Sequence, residues 1–124
     1  MPGPLDGFRI LDLTAVISGP YCTMILADQG ADVIKVEPRG RGDFTRSAGN
    51  RSGGLSASFL NNNRGKRSIT IDLKSEDGAA LLKRLAATSD VFVQNFRPGV
   101  IERMGLGEDA IRASASCCNV TFSL

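Results

Sequence analysis

Short apolar segments that flank one helix-length segment are the feature that most restricts how this chain can fold. Residues 8–13 (FRILDL) and 32–37 (DVIKVE) are rich in branched apolar side chains and predict two strands. The residues between them have the composition of a helix. A strand–helix–strand unit over residues 8–37 predicts two parallel strands joined by a right-handed crossover.

The helix between these strands has recognisable end signals. Ser18 is a plausible N-cap, Pro20 fits the first turn, and Gly30 fits the C-terminal cap position. A short apolar stripe at helical spacing is predicted to face the sheet, and it consists of Tyr21, Met24 and Ile25.

The alternation continues along the chain. Further strands are predicted at residues 67–73, 90–93 and 118–123, with helices that open at Ser75 and Pro98. The apolar face of the helix after Ser75 consists of Ala79, Leu82, Leu85 and Ala86. This order predicts an α/β fold with an open, mostly parallel sheet and flanking helices, in which ligands bind beyond the carboxyl ends of the strands.

Residues 38–66 have a different texture. They are rich in Gly, Ser and Arg with little periodicity, and they predict a loop that is mobile without ligand, with one short helical or extended turn within residues 55–66. Eight basic residues against two acidic ones concentrate positive charge in residues 39–74. Such a region attracts a multiply charged anion, although a solvated basic loop is an equally good interpretation.

Several functions are disfavoured by what the sequence contains. The chain has no His, and its three cysteines (Cys22, Cys117 and Cys118) do not form a disulfide framework. The turn after the first strand lacks a GxGxxG motif, and the Gly40-x-Gly42 pair follows the wrong strand for a dinucleotide site. No apolar run reaches the ~18 residues of a membrane span, and the N-terminal residues do not resemble a signal peptide, which favours a cytoplasmic or organelle-matrix location.

Two segments are candidate ligand contacts. The amides and basic residues of NNNRGKRS, residues 61–68, suit either a phosphate clamp or a solvated turn. Asn95, Phe96 and Arg97 follow a buried strand, where they suit an adenine ring and a phosphate, or a simple turn capped by Asn95. Few aromatic residues accompany the basic ones, so a small polyanion is favoured over nucleic acid.

Taken together, several segments resemble the family III CoA transferases, also called the CaiB/BaiF family, in order and in spacing. The segments are PLDGFRILDLT, SGPYCTMILADQGADVIKVEP, GRGDFTR, NRGKRSITIDLK and DVFVQNFRPGVIERMGLG, which cover roughly residues 4–107. The family includes formyl-CoA transferase, carnitine-related CoA transferases and α-methylacyl-CoA racemase. The resemblance implies a Rossmann-like fold and, for residues 1–124, the N-terminal part of the CoA-binding domain.

The resemblance also implies an activity and a set of contacts. Family members move CoA from an acyl-CoA to a carboxylic acid through an aspartyl intermediate, which is covalent catalysis; the racemase branch instead moves a proton beside the thioester carbonyl. No metal is implied, and the substrate coenzyme A or acyl-CoA is the only cofactor. The residues that match CoA contacts are Ile17, Ser18, Arg39, Ile71, Asp72, Leu73, Lys74, Asn95, Phe96, Arg97 and Arg103.

The remaining expectations concern what this chain does alone. The family's nucleophilic Asp and its second domain correspond to positions after residue 124, and Asp12, Asp28 and Asp32 are predicted to be structural. We therefore expect a truncated α/β unit that binds CoA but does not turn over; a non-catalytic CoA-binding module remains an alternative. The partners implied are an acyl-CoA and a carboxylic acid, with no nucleic acid and no membrane, and full-length members form interlocked homodimers.

Overall fold

The computed structural model describes residues 2–115 and 120–123. The main sheet consists of five strands, all paired in parallel, in the spatial order β5-β2-β1-β6-β7. Their bounds are β1 Arg9–Asp12, β2 Asp32–Glu37, β5 Arg67–Thr70, β6 Val91–Gln94 and β7 Val120–Ser123. The predicted parallel α/β architecture with flanking helices is confirmed, and each strand lies inside or within one residue of its predicted range; Cys117 and Cys118 lie outside the described residues.

Helices connect and cover these strands, and a small hairpin precedes the second helix. The helices are α1 Ser18–Asp28, α2 Ala57–Asn63, α3 Glu76–Ala86, α4 Val100–Arg103 and α5 Glu108–Ser114, and the hairpin strands are β3 Arg51–Ser52 and β4 Leu55–Ser56. Successive strand residues point to opposite faces of the sheet, so each strand contributes to both layers. Ile10 and Val33 lie in the smaller core beside α1, whereas Leu11 and Ile34 lie in the larger core with α3, α4 and α5.

The third helix follows the predicted pattern closely. Ser75 caps it by accepting a hydrogen bond from the Gly78 N–H at 3.0 Å. Leu82 and Ala86 are fully buried, and the other two apolar residues of the predicted face pack against the same core. Burying a Leu side chain contributes about 1.5–3 kcal/mol, so this face is what attaches α3 to the sheet.

The first helix differs from the prediction at its start. Ser18 is its first helical residue and does not cap it; the cap position is taken by Ile17, which makes no side-chain capping bond. Gly30 has a φ of +101° just beyond the helix end, as predicted for a glycine that stops a helix.

The predicted apolar stripe of this helix is also wrong. Met24 is buried, but Tyr21 is 50% exposed and Ile25 is 38% exposed. The residues that face the sheet include Gly19 and Thr23, because the strand surface beneath the first turns of α1 is polar. The spacing of apolar residues alone therefore predicts the wrong face of α1 as the one that packs on the sheet.

Residues 38–66 contain regular structure, including a short helix within residues 55–66 as predicted, rather than one continuous loop. They contain a single 3₁₀ turn, Phe44–Arg46, as well as the hairpin and α2. Asp43 opens the 3₁₀ turn, and its Oδ1 accepts from the N–H and hydroxyl of Thr45 at 2.9 and 2.8 Å. This segment covers the carboxyl ends of β1 and β2.

Candidate functional site

A pocket lies where the loops after β2 and β5 meet, and we name it the Lys74 pocket. Because β2 and β5 are parallel neighbours, the residues that follow them emerge at the same edge of the sheet. Its volume is about 350 Å³. Its lining residues are Pro38, Arg39, Ile71, Asp72, Leu73, Lys74 and Met104.

A second, mostly apolar cavity of about 150 Å³ lies beside it, and we name it the Phe96 pocket. Pro38 lines both spaces, which places them next to each other along the carboxyl ends of the strands. Its lining residues are Leu13, Thr14, Ala15, Lys35, Val36, Glu37, Pro38, Asp43 and Phe96. Together the two pockets offer a polar, cationic space and an adjoining apolar one.

The loop after β1 is held in an unusual conformation. Val16 has a φ of +74°, a left-handed value that is unfavourable for a β-branched residue. The side chain of Asn95 makes two hydrogen bonds to the backbone of Ala15, and Lys35 Nζ donates to the Thr14 carbonyl at 2.8 Å. The surrounding contacts thus impose the loop geometry, which leaves Ile17 59% exposed at the strand end.

One face of the sheet changes from apolar to ionic along the strands. The β1–β2 register pairs Asp12 with Lys35, so these two residues lie side by side beyond Ile10 and Val33. Asp12 is fully buried and accepts from Thr23 Oγ1 at 2.6 Å and from Lys66 Nζ at 3.0 Å. Burial is tolerated because every such charge has a partner.

Lys66 is completed by two further acceptors. Its ammonium also donates to the Pro20 carbonyl and to Asn63 Oδ1, both at 2.9 Å. Burial lowers the pKa of Lys66, and the nearby Asp12 carboxylate opposes that effect only in part. All three ammonium protons are therefore used inside the protein.

Two more ion pairs attach the segment after β2 to the sheet. Lys35 Nζ lies 2.9 Å from Asp43 Oδ2, and both side chains are 1% exposed. Glu37 accepts from Arg46 Nε and Nη2, both at 2.6 Å, from Ser68 Oγ at 2.6 Å and from the Asp43 N–H at 2.9 Å.

These contacts change the acidity of both carboxyl groups. Burial raises the pKa of Glu37, but the hydrogen bonds from Arg46, Ser68 and the Asp43 backbone outweigh burial and lower its pKa from 4.5 to about 2. Burial likewise raises the pKa of Asp43, and its contacts with Lys35 and Thr45 lower it by more. Both groups are therefore anionic at neutral pH, so neither offers a proton to a reacting group.

The structure brings five of the predicted CoA contacts together and distributes the others along the same edge. Arg39 and residues 71–74 line the Lys74 pocket, and Phe96 lines the adjoining pocket. Ile17, Ser18 and Arg97 are exposed at their strand ends. Arg103 is exposed at the end of α4, next to Met104 of the Lys74 pocket. Asn95 uses its side-chain amide on Ala15, so its place in the site is to hold the β1 loop.

The predicted phosphate clamp in residues 61–68 is contradicted for Lys66, which is buried, and the exposed side chains of Arg64 and Arg67 also have carboxylate partners. Lys66 is 1% exposed and bound to Asp12, while Arg64 pairs with Asp28 and Arg67 pairs with Asp32. The solvated-turn alternative fits Arg64 and Gly65, which form an exposed turn between α2 and β5, and α2 is the short helical turn predicted within residues 55–66. Arg46 is also paired, so half of the eight basic residues in the positive region are neutralised by carboxylates. The contacts of Asp12, Asp28 and Asp32 agree with the prediction that these aspartates are structural.

Sequence reasoning missed the buried ionic face itself. The sequence does contain a signal for this face: Lys35 lies in the middle of the apolar strand DVIKVE, and Asp12 lies near the end of FRILDL. A charged residue on the inward side of a predicted strand requires a buried partner, and that partner had to come from the polar segment 38–66.

The described residues contain neither a membrane-spanning helix nor a cluster of metal ligands. No helix among the described residues is long and apolar enough to cross a membrane. Within residues 2–115 and 120–123, no group of three or more His, Cys, Asp or Glu side chains is placed to hold a metal ion.

The fold is a parallel α/β domain with two adjoining pockets at the carboxyl edge of the sheet. The sequence profile of CoA-transferase family III matches residues 5–116, and the chain belongs to that family. It is 48% identical over 122 residues to the mouse (Mus musculus) protein named succinyl-CoA:glutarate CoA-transferase, covering 95% of this chain and 28% of that one.

A bacterial relative and a crystal structure are similar to this chain as well. The chain is 48% identical over 113 residues to the Chloroflexus aurantiacus protein named succinyl-CoA–D-citramalate CoA-transferase, covering 90% of this chain and 28% of that one. The crystal structure of a CaiB/BaiF family protein from Brucella suis superimposes with a TM-score of 0.88 at 38% identity, covering 98% of this chain and 33% of that one. The chain thus spans less than a third of the length of these relatives.

Proposed function

We propose that residues 1–124 form the N-terminal part of the CoA-binding, Rossmann-like domain of a CoA transferase. The observation that carries the proposal is the Lys74 pocket, whose lining combines the cations Arg39 and Lys74 with Asp72 and with the apolar side chains of Ile71 and Leu73. Two cations beside an apolar surface suit a ligand that has phosphates next to a flat ring. Neither cation belongs to an ion pair within the described part of the chain, so both are available to phosphate.

The proposed reaction moves CoA from an acyl-CoA to a carboxylic acid. An Asp carboxylate attacks the thioester carbonyl, forming a mixed anhydride and releasing the CoA thiolate. The thiolate attacks the aspartyl carbonyl, which gives an aspartyl-CoA thioester and the free donor acid. The acceptor carboxylate then attacks that thioester, and the thiolate released returns to the acceptor's acyl carbonyl, which frees the Asp.

The nucleophile of this reaction is assigned outside residues 1–124. Asp12 and Asp43 are the two buried aspartates near the carboxyl ends of β1 and β2; each is bound to a lysine, and Asp12 also accepts from two hydroxyl groups and Asp43 from one. Releasing either would leave a lysine buried without a counter-charge, which costs about 3–5 kcal/mol. We therefore propose that the 124 residues bind CoA and that turnover requires the remainder of a family member, in a homodimer located in the cytoplasm or an organelle matrix.

The acceptor is proposed to be a small organic acid. The mouse and Chloroflexus relatives carry glutarate and D-citramalate in their names, and both compounds are dicarboxylic acids. This class supports, for the present chain, an acid substrate that has a second carboxylate besides the one that receives CoA.

Calorimetric titration of the intact protein with CoA and with dephospho-CoA tests the binding proposal. We expect tighter binding of CoA, and we expect Lys74→Gln or Arg39→Gln to reduce that preference by roughly tenfold, the loss of one charged hydrogen bond. Arg84→Gln is the matched control, because Arg84 is exposed on α3 and lines neither pocket. Equal affinity for the two ligands would remove the basis for a phosphate site here.

Mass spectrometry of the intact protein tests the chemistry. An acyl-CoA without acceptor should leave a covalent CoA adduct on an Asp, and adding an acid should discharge it as a new acyl-CoA. Deuterium incorporation beside the thioester carbonyl, without exchange of the acid, would identify a racemase instead. Turnover by residues 1–124 alone would contradict the assignment of the nucleophile.

A further inference from the structure

A third pocket is lined in part by Arg46, the partner of Glu37 in the ion pair described above, and we name it the Arg51 pocket. It has a volume of about 260 Å³ and is lined by Arg41, Arg46, Arg51, Leu55 and Phe59, among others. Glu37 lines the Phe96 pocket and Arg46 lines the Arg51 pocket. The ion pair between them therefore connects the walls of the two pockets.

The floor of the Arg51 pocket is held rigidly. The Arg46 guanidinium is bonded at Nε and Nη2 to Glu37, and its central carbon lies 3.8 Å from the centre of the Phe59 ring. Ser56 Oγ donates to the Ala48 carbonyl at 2.8 Å, which ties the hairpin to the preceding loop. Arg46 therefore forms a fixed part of the pocket wall, and the charge available to a ligand is that of Arg41 and Arg51.

The pocket carries positive charge that the protein does not balance. Among the residues that the structure describes, no Asp or Glu lines it, and the carboxylate of Glu37 offsets only Arg46. Arg41 and Arg51 belong to no ion pair in the described part of the chain, and Arg51 donates only to the Gly54 carbonyl, at 3.3 Å. Two such guanidinium groups beside an apolar wall suit an anion with a short carbon chain.

A carboxylate on a short carbon chain fits both the guanidinium groups and the apolar wall of this pocket. Guanidinium groups bind carboxylates through two parallel hydrogen bonds, and the apolar side chains of Leu55 and Phe59 can cover the methylene groups of a short acid. The pocket is also separate from the Lys74 pocket, where Arg39 and Lys74 are proposed to hold the CoA phosphates.

We propose that Arg41 and Arg51 bind the distal carboxylate of a dicarboxylic acid substrate, and this proposal rests on the function proposed above. The distal carboxylate lies in the Arg51 pocket. The other carboxylate extends past the Glu37–Arg46 pair toward the Phe96 pocket, where it receives CoA. Arg41 and Arg51 thereby select dicarboxylic over monocarboxylic acids.

The experiment is a titration of the intact protein with ¹³C-labelled glutarate, followed by NMR, for wild type, Arg41→Gln, Arg51→Gln and Arg84→Gln. We expect Arg41→Gln and Arg51→Gln each to weaken glutarate binding roughly tenfold, the loss of one charge-assisted pair. The Arg84→Gln control removes one positive charge from another surface and should leave binding unchanged. Pentanoate, which lacks the second carboxylate, should bind weakly to all four proteins alike.

The same samples are titrated with CoA and with inorganic phosphate, so that each possible failure can be told apart. Glutarate binding that is absent, or that is unaffected by both substitutions, overturns the proposal even if CoA binds normally. An equal loss of CoA or phosphate binding in the Arg41 and Arg51 variants also overturns it, because the pocket would then be a phosphate site. Arginine-dependent glutarate binding without any CoA binding supports the pocket and contradicts the CoA-transferase function instead.

Discussion

The side-chain amide of Asn95 makes two hydrogen bonds to the backbone of Ala15: its Nδ2 donates to the Ala15 carbonyl and its Oδ1 accepts from the Ala15 N–H, each at 2.9 Å. These bonds join the ends of β6 and β1, the adjacent strands from which the chain leaves in opposite directions across the sheet. The next residue, Val16, has a left-handed backbone that costs about 1–2 kcal/mol for a side chain with a Cβ. The Asn95–Ala15 contact therefore stabilises a loop conformation that the chain would not adopt alone.

Replacing Asn95 should release this loop. We expect Asn95→Ala to accelerate amide hydrogen exchange at Ala15 and to weaken CoA binding by roughly tenfold, while unfolding stability falls by only about 1–2 kcal/mol. Asn95→Asp keeps the acceptor but places a negative charge beside the Ala15 carbonyl, so it should also release the loop. Asn61→Ala, at an exposed position in α2, is the control. Unchanged exchange at Ala15 in Asn95→Ala would show that other contacts hold the loop.

The Lys66–Asp12 pair should dominate the stability of the ionic face. Removing Lys66 as Lys66→Met leaves Asp12 buried without its counter-charge and should cost about 3–5 kcal/mol in urea denaturation. The matched variant Arg64→Met removes the partner of Asp28, and both of those side chains are largely exposed. That change should cost less than about 1 kcal/mol. Similar small losses in both variants would mean that the Asp12 carboxylate is hydrated.

Gly42 is required by packing as well as by its backbone angle. A Cβ at Gly42 would lie 2.6 Å from Glu37 Oε2 and 2.9 Å from Arg46 Cδ, and its φ is +68°. Gly40 also has a positive φ, +95°, but a Cβ there meets nothing within 4 Å. Gly40→Ala should therefore cost only the backbone term of about 1–2 kcal/mol, and Gly42→Ala should cost at least about 1–3 kcal/mol more, because it displaces the Glu37–Arg46 pair. Thermal and urea unfolding of the two variants measures the difference, and equal losses would contradict it.

Acid should weaken the attachment of residues 38–46 to the sheet through Glu37. Its pKa is lowered from 4.5 to about 2, so the ionised form is favoured in the folded protein. The stabilisation is complete above about pH 4.5 and is lost as the pH falls toward 2, with a total of about 3 kcal/mol. The pKa values of Asp43 and Asp32 are also lowered, so protonation of these groups in acid likewise reduces the free energy of unfolding.

The measurement for Glu37 is the free energy of unfolding between pH 7 and pH 2, compared with Glu37→Gln. We expect the variant to be less stable at pH 7 and to lose less stability on acidification. Parallel curves for the two proteins would show that Glu37 does not contribute to the acid dependence.

Much of the fold could be predicted from the sequence because it depends on local periodicity. The branched apolar segments of β1, β2, β5 and β6 and the four apolar positions of α3 specify a strand or a helix without reference to the rest of the chain. Parallel order then followed from the alternation of strands and helices. The location of the Lys74 pocket followed as well, since the carboxyl ends of parallel strands share an edge.

The site's electrostatics could not be predicted in this way. Arg46, Arg64, Lys66 and Arg67 are neutralised by carboxylates between 9 and 54 residues away in sequence, so a count of charges overstated the positive field. The outward orientation of Tyr21 and Ile25 could not be predicted for the same reason, because it depends on which residues the fold places beneath α1. The surface beneath the first turns of α1 is ionic, and an apolar side chain placed there would displace a charge from its partner.

By itself, then, the sequence determined the order of strands and helices, the parallel sheet and the family to which the chain belongs, because each is encoded in spacing along the chain. Only the tertiary structure decided which charges are paired with one another and which remain available to a ligand. The physical reason is that a buried charge takes its partner from whatever lies nearest in space, and the fold brings Lys66 to Asp12 and Asp43 to Lys35.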